Sequence, residues 1–370
     1  MKDAKDVKTT FRKAFLLNGF AFTCFTFFTV CLVAAAMWTP QSSGVTSRLR
    51  GVSAVSAKIA WASGSGATVL RTDDGGATWT KLTVDADAAS ARLDFRDIDA
   101  IDARTAYVLS IGNGSSSRIY KTIDAGATWT LQFTNQDPKG FYDAMTFWDA
   151  DHGLVIGDSI DGKFQILITE NGGATWAKVP DSALPPALPN EGAFAGSGSN
   201  IAVVTADRSG NDAWIGTGAG PRCRMLHTAD RGRTWTIVDT PIAASASSGI
   251  FSVAFRDQKH GVVVGGDYSK EKDAVDNVAI TSDGGKTWTL VKERALSGFR
   301  SAVKYVPGTK MSLVAVGPQG SDTSDDDGKT WTPLASPVPL PGFDALSFSP
   351  GRKIAWASGN RGALARLEIR

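Results

Sequence analysis

Six times along this 370-residue chain the pattern Ser/Thr-x-Asp-x-Gly-x-Thr-Trp recurs, which restricts the chain to a repeat architecture. The copies run Thr72-x-Asp74-x-Gly76-x-Thr78-Trp79, Thr122-x-Asp124-x-Gly126-x-Thr128-Trp129, Thr169-x-Asn171-x-Gly173-x-Thr175-Trp176, Thr228-x-Asp230-x-Gly232-x-Thr234-Trp235, Thr281-x-Asp283-x-Gly285-x-Thr287-Trp288 and Ser324-x-Asp326-x-Gly328-x-Thr330-Trp331. Only the third departs, with Asn171 in place of Asp. Periods of roughly 40–50 residues built from short strands belong to β-propellers.

The motif has a mechanical explanation. An Asp side chain can accept hydrogen bonds from backbone N–H groups two residues on and so hold a tight turn. The Gly supplies positive φ without steric cost. The Thr-Trp pair then opens a strand, and the indole covers apolar surface between sheets while its N–H keeps a partner. A stabilising turn is needed in every unit of a repeat fold, whereas a catalytic group is needed once, so Asp74, Asp124, Asn171, Asp230, Asp283 and Asp326 read as structural.

These residues resemble the Asp-box, or BNR, repeats shared by sialidases, sortilin-type receptors and photosystem II assembly-factor-like proteins. A Gly-ending strand, a loop and a strand entering the box, as in Val262-Val263-Val264-Gly265-Gly266 followed by Ala279-Ile280-Thr281-Ser282-Asp283-Gly284-Gly285, is most similar to the assembly-factor-like propellers, which also occur in bacteria without photosynthesis. The resemblance covers nearly all of the chain after residue 36. It implies a non-catalytic scaffold for protein binding or assembly, its partner docking on the face opposite the boxes. The alternative it leaves open is a glycan-active hydrolase with a carboxylate-lined channel.

Each blade needs about four strands. Six boxes mark the turn between third and fourth strands of six blades, and a seventh blade follows the last box as Phe343–Phe348, Ile354–Gly359 and a strand from Ala363 to Ile369. Its fourth strand is expected from the other end, because Met37-Trp38-Thr39-Pro40 matches Thr330-Trp331-Thr332-Pro333. Ile59–Gly64 likewise repeats Ile354–Gly359 letter for letter. Closing the ring this way removes an exposed sheet edge. The expected fold is therefore all-β, a seven-bladed propeller of four-stranded antiparallel blades over residues 37–370.

Residues 1–36 have a basic lead (Lys2, Lys5, Lys8, Arg12, Lys13), an apolar stretch and an Ala34-Ala35-Ala36 ending suited to signal peptidase. Cleavage after Ala36 would leave the start of the closing strand, and the rival reading is an uncleaved membrane anchor. Either way the propeller is expected outside the cytoplasm, periplasmic or extracellular. Cys24 and Cys31 lie in this segment, which leaves Cys223 alone and no disulfide framework. The segment carries five basic and two acidic side chains, so the remainder holds 34 basic against 35 acidic, a net of −1. That balance argues against nucleic acid as a partner.

First strands of propeller blades line the central channel, and loops at their starts carry function. Polar groups recur there at one register, which places Arg50, Arg96, Tyr142, Asp143, Glu191, Arg300 and Asp344 around one mouth. The plain reading is a solvated rim of mutually satisfied charges; the functional one is a polar site for a peptide, a glycan or another anion. Glu191 is one of five Glu after residue 36 and follows the Pro-rich connector Leu184–Pro189. The loops 207–222 and 267–273 could add contacts. A protein partner, membrane-associated or not, is expected, with a monomeric propeller, and a glycan is the alternative ligand.

Resemblance to sialidases would demand an arginine cluster, a Tyr–Glu nucleophile pair, an Asp acid/base and an early Arg-Ile-Pro motif. The motif is absent, and nothing around Tyr142 or Glu191 matches. His152 and His260 occupy matching places in two blades, which marks a repeated turn and argues against zinc or Ser-His-Asp chemistry. Asp325-Asp326-Asp327-Gly328 overlaps the sixth box and lacks the spaced ligands of an EF-hand. No phosphate-cradling loop leads into a helix. No metal and no cofactor are expected.

Overall fold

The computed structural model describes residues 37–84, 92–204, 210–335 and 339–369. The proposed signal or anchor segment lies outside the described residues. Seven four-stranded antiparallel sheets form, each with its strands in chain order except the last. In that sheet the N-terminal strand Met37–Gln41 pairs with Leu364–Glu368, running Met37↔Glu368 to Gln41↔Leu364. The first strands pack against one another in a closed circuit from Leu49–Ala54 round to Phe343–Phe348. The fold is the expected seven-bladed propeller, ring closed by the N-terminal strand.

The closing strand reproduces the other blades' outer strands. Pro40 and Pro333 both lie on outermost strands, where a missing N–H breaks no ladder. Trp38 is 3% exposed and packs 5.0 Å from Phe343, and its indole N–H donates to Ser321 Oγ of the preceding blade at 3.1 Å. It therefore fills in blade 7 the place that Trp331 fills in blade 6, among Val262, Val264 and Leu313.

The core lies between neighbouring sheets, and second-strand aromatics dominate it. Trp61, Tyr107, Trp214 and Trp356 are fully buried. Two of them clasp the next blade: Tyr107 donates to the Gly172 carbonyl at 2.7 Å and Trp214 to the Gly284 carbonyl at 2.9 Å. Each ring buries on the order of 150–250 Å², but only these two satisfy their polar tip at the neighbour's box, the indole N–H groups of Trp61 and Trp356 being buried without a partner.

All six boxes sit between third and fourth strands, but their hydrogen bonding differs from the expected two-residue reach. In the first, Asp74 Oδ1 accepts the N–H of Thr78, four residues on, at 2.9 Å, and Oδ2 accepts the Thr78 hydroxyl at 2.6 Å. Thr72 closes the tighter part of the turn: its Oγ1 donates to Asp74 at 2.8 Å and accepts the Gly76 N–H at 2.9 Å. Gly76 holds φ +87°, a left-handed conformation that favours glycine. Asn171 works in the third box because Oδ1 accepts the Thr175 N–H while Nδ2 donates to the Thr175 hydroxyl, both at 2.9 Å. The expectation that every box indole keeps a partner also needs correction. Trp235, Trp288 and Trp331 donate to their own box glycine, whereas Trp129 and Trp176 bury an unpaired N–H and make edge-on contacts with Trp61 and Phe147.

Candidate functional site at the channel mouth

Opposite the boxes, the starts of the first strands share a β-bulge. Pairing skips a residue between Leu49 and Gly51, Phe95 and Asp97, Tyr142 and Ala144, Ile250 and Ser252, and Phe343 and Ala345. The extra residues are Arg50, Arg96, Asp143, Phe251 and Asp344. Ser301 holds the matching place in blade 6, just before Ala302 pairs with Val316. A bulge bends its strand and re-aims a side chain, and here five bulges turn their extra residues toward one mouth, which Ser301 also lines. The recurrent Gly at the end of the second strand belongs to the same device. A Cβ at Gly64 or Gly265 would collide with the carbonyl oxygen of Arg48 or Gly249 at the strand crossing.

Blade 4 departs from this pattern. Its segment Phe194–Asn200 runs across the channel and is tied to four other blades. Arg50 Nη1 donates to the Gly196 carbonyl at 3.4 Å and Arg96 Nη1 to the Ala195 carbonyl at 3.0 Å. Ser197 donates to the Ser301 carbonyl at 3.0 Å, and Ser199 to Ser252 Oγ at 2.8 Å. The segment's residues Phe194–Gly196 line a cavity of about 500 Å³.

The cavity has two unlike walls. One carries Arg48, Arg50 and Arg96 with the carboxyl groups of Asp143, Asp158 and Asp344. The other is aromatic: Phe194 stacks on Phe251 at 4.2 Å, and Phe299 and Tyr268 meet Phe251 edge-on at 4.7 and 6.1 Å. Tyr268 is half exposed, so the aromatic wall reaches solvent.

Charge is distributed unevenly over the first wall. Arg48 makes two 2.8 Å hydrogen bonds to Asp344, and Arg96 makes one of 2.9 Å to Asp94. Arg50 has only a 3.9 Å approach to Asp344 and the Gly196 carbonyl. Burial, opposed by Asp344 and aided by the neighbouring Arg96 and Arg48, pushes its guanidinium down to about 10. Arg50 stays cationic near neutral pH and is the least neutralised of the cavity's three arginines. On the same wall, burial and then the nearby Asp158 hold the Asp143 carboxyl well above the usual range, and burial pushes Asp158 up to about 6.

Of the residues expected at the mouth, the structure brings Arg50, Arg96, Asp143 and Asp344 to this cavity. Three others lie elsewhere. Tyr142 falls one residue before its blade's bulge and Arg300 one residue before the matching Ser301, and their side chains turn into the protein. Tyr142 packs edge-on against Phe133. Arg300, 1% exposed, donates to Asp322 at 2.6 Å and to the Phe299 carbonyl at 2.8 Å. Glu191, also 1% exposed, is bound by Arg224, by the Thr217 hydroxyl at 2.7 Å and by the Leu188 N–H at 2.8 Å. It pins the Pro-rich connector. Arg48, Asp158 and the aromatic wall were not singled out by sequence reasoning, although loop 267–273 was, and it supplies Tyr268 and Glu271.

Other groups stay bland. His152 and His260 sit in matching turns, each with its N–H on an Asp three residues earlier, Asp149 and Asp257. Burial pushes the Cys223 thiol up to about 12, so it behaves as a small apolar side chain. Among the described residues, no group of three or more His, Cys, Asp or Glu is placed to hold a metal ion.

These features define the class: a seven-bladed β-propeller with an arginine- and aromatic-lined cavity at its mouth. No family model matches the chain, and no curated protein sequence does. Solved structures share the fold. A YCF48 bound to D1 peptide superposes with TM-score 0.63 at 17% identity, over 90% of this chain and 97% of that one. YCF48 from Cyanidioschyzon merolae gives 0.61 at 18%, over 90% and 99%. The GH74 xyloglucanase from Xanthomonas campestris gives 0.63 at 18%, over 89% of this chain but 53% of its own. At such identities the likeness is one of fold.

Proposed function

We propose that this propeller is a non-catalytic, protein-binding scaffold of the assembly-factor type, which receives an acidic, aromatic-bearing peptide segment of its partner in the channel-mouth cavity. The observation that carries this reading is the pairing of the under-neutralised Arg50, beside Arg96, with the open aromatic wall of Phe194, Phe251 and Tyr268. Arginine forks suit carboxylates, and aromatic faces suit apolar side chains, so the two walls together fit a peptide. The D1 peptide bound by one YCF48 structure supports a polypeptide ligand for a propeller of this kind. In this reading the basic and apolar segment 1–36 exports the chain, and the propeller works as a monomer outside the cytoplasm.

Titrating the full chain with acidic, aromatic-containing peptides tests the proposal. An Arg50→Ala/Arg96→Ala variant should bind at least tenfold more weakly; equal binding by the variant, or none by the native chain, rejects it.

A glycan hydrolase is the second reading, because two of the four carboxyl groups lining the cavity, Asp143 and Asp158, are held above the usual carboxylate range by burial. Glu191 and Asp344 are already engaged by Arg224 and Arg48. Turnover of an oligosaccharide that Asp143→Asn abolishes would replace the scaffold reading.

A further inference from the structure

Asp143 stands apart from the other carboxylates of the cavity. It is 2% exposed, and its Oδ2 is buried without a hydrogen-bond partner. The bulge between Tyr142 and Ala144 directs it into the cavity that Arg50 and Arg96 line. A buried carboxylate with an empty acceptor position is costly, whereas a protonated carboxyl has a donor to offer.

The groups facing Asp143 can be named element by element. From its own blade comes Asp158, at the end of the second strand, and from blade 2 comes Arg96. Arg96 is itself engaged by Asp94. From blade 4 comes Ala193–Gly196, which carries no titratable side chain. The net surroundings are one like charge and one cation already shared with another carboxylate.

We propose that Asp143 carries a proton and serves as a third hydrogen-bond donor of the anion site, beside Arg50 and Arg96, so that an anionic peptide group binds together with that proton. This rests on the peptide reading above and adds the chemistry of recognition: the ligand group is a carboxylate, and its affinity is linked to pH. Bound anion and ionised Asp143 would be like charges in one small cavity, so each disfavours the other. Binding is strongest where free Asp143 is protonated and weakens as pH rises through its titration. One linked proton sets the limit at about tenfold in affinity per pH unit.

Two measurements on the full chain test this. The first is the affinity of acetyl-Phe-Glu-Phe-amide between pH 5.5 and 8.5, with the Gln analogue as control. The expected result is a Kd rising with pH in the native protein, with proton uptake seen calorimetrically in buffers of different ionisation enthalpy. Asp143→Asn stays neutral and keeps a donor, so its affinity should fall less steeply with pH than the native protein's, the remaining slope coming from Asp158, and lie within about threefold of the native low-pH value. A flat native profile, or an Asp143→Asn profile as steep as the native one, overturns the proposal.

The second measurement needs no peptide: the Asp143 carboxyl carbon is titrated by NMR in 13C-aspartate-labelled protein. A midpoint below pH 5 overturns the proposal. A higher midpoint that moves further up on adding acetate, and down in Asp158→Asn, supports it. If the peptide fails to bind at any pH while the acetate shift is present, the peptide reading falls and the proton-linked anion site stands. Absence of the acetate shift removes the proton-linked site, and the peptide reading then stands or falls on the Arg50→Ala/Arg96→Ala titration.

Discussion

The indole N–H of Trp79 donates to Gln41 Oε1 at 3.1 Å, and Nε2 of the same Gln41 donates to the Gly75 carbonyl at 3.0 Å. Trp79 and Gly75 belong to the first box, whereas Gln41 ends the strand that completes the last blade. One side-chain amide thus fastens blade 7 to blade 1. In blades 4 to 6 the box indole instead donates to its own glycine. Replacing Gln41 with Ala leaves an indole N–H and a carbonyl without their partner. The expected cost is about 1–2 kcal/mol, read as a lower urea midpoint with an unchanged m-value.

Arg50 and Arg300 make a matched pair of opposite expectations. Arg300→Ala leaves Asp322 buried without its cation, and should cost about 3–5 kcal/mol in urea unfolding. Arg50→Ala removes a charge with no close partner and should stay within about 1 kcal/mol of native stability, while weakening anionic peptides at least tenfold. Loss of stability in both variants would mean that Arg50, like Arg300, holds the ring together.

Glu191 should likewise act on stability. Glu191→Ala strands Arg224 and frees the Leu188 N–H and the Thr217 hydroxyl. Destabilisation of about 3–5 kcal/mol is expected, with faster proteolytic cutting in the Pro-rich connector 184–189. Unchanged unfolding would show that the pair contributes nothing net.

The boxes set an acid limit. Hydrogen bonds from the Thr78 hydroxyl and N–H hold the Asp74 carboxyl down at about 2, and Thr128 does the same for Asp124. A depressed folded-state value means a contribution fully present above the unfolded value of about 4 and lost as pH falls toward 2. Stability should therefore decline over that window. Asp74→Asn, which copies the natural Asn171 box, should decline less steeply there, as measured by thermal unfolding at pH 2, 3 and 4.

The fully buried Trp214 joins blade 4 to blade 5 through Gly284. Trp214→Ala should cost about 3–5 kcal/mol by calorimetry, since it opens a cavity and orphans a box carbonyl.

The blade count and the ring closure were legible because each rests on a local signal repeated along the chain. A box needs only the eight residues it contains, and Trp38-Thr39-Pro40 looks like Trp331-Thr332-Pro333 because outer strands ask the same things of their residues wherever they sit. The candidate site was legible in part. Starts of first strands could be recognised, but a one-residue bulge decides which of Tyr142 and Asp143 faces the channel. Alternation along a strand does not reveal a bulge, because the register shift is an agreement between two strands.

By itself, then, the sequence determined the repeat, the number of blades, the strand that closes them and the end of the channel where polar groups gather. Tertiary packing settled that Glu191 is spent on Arg224, that Phe194, Phe251, Phe299 and Tyr268 meet as one wall, and that Arg50 is left under-neutralised in a cavity that Asp143 also lines. The reason is physical: turns and strands form from neighbours in the chain, whereas burial and charge pairing depend on residues from different blades that only ring closure brings together.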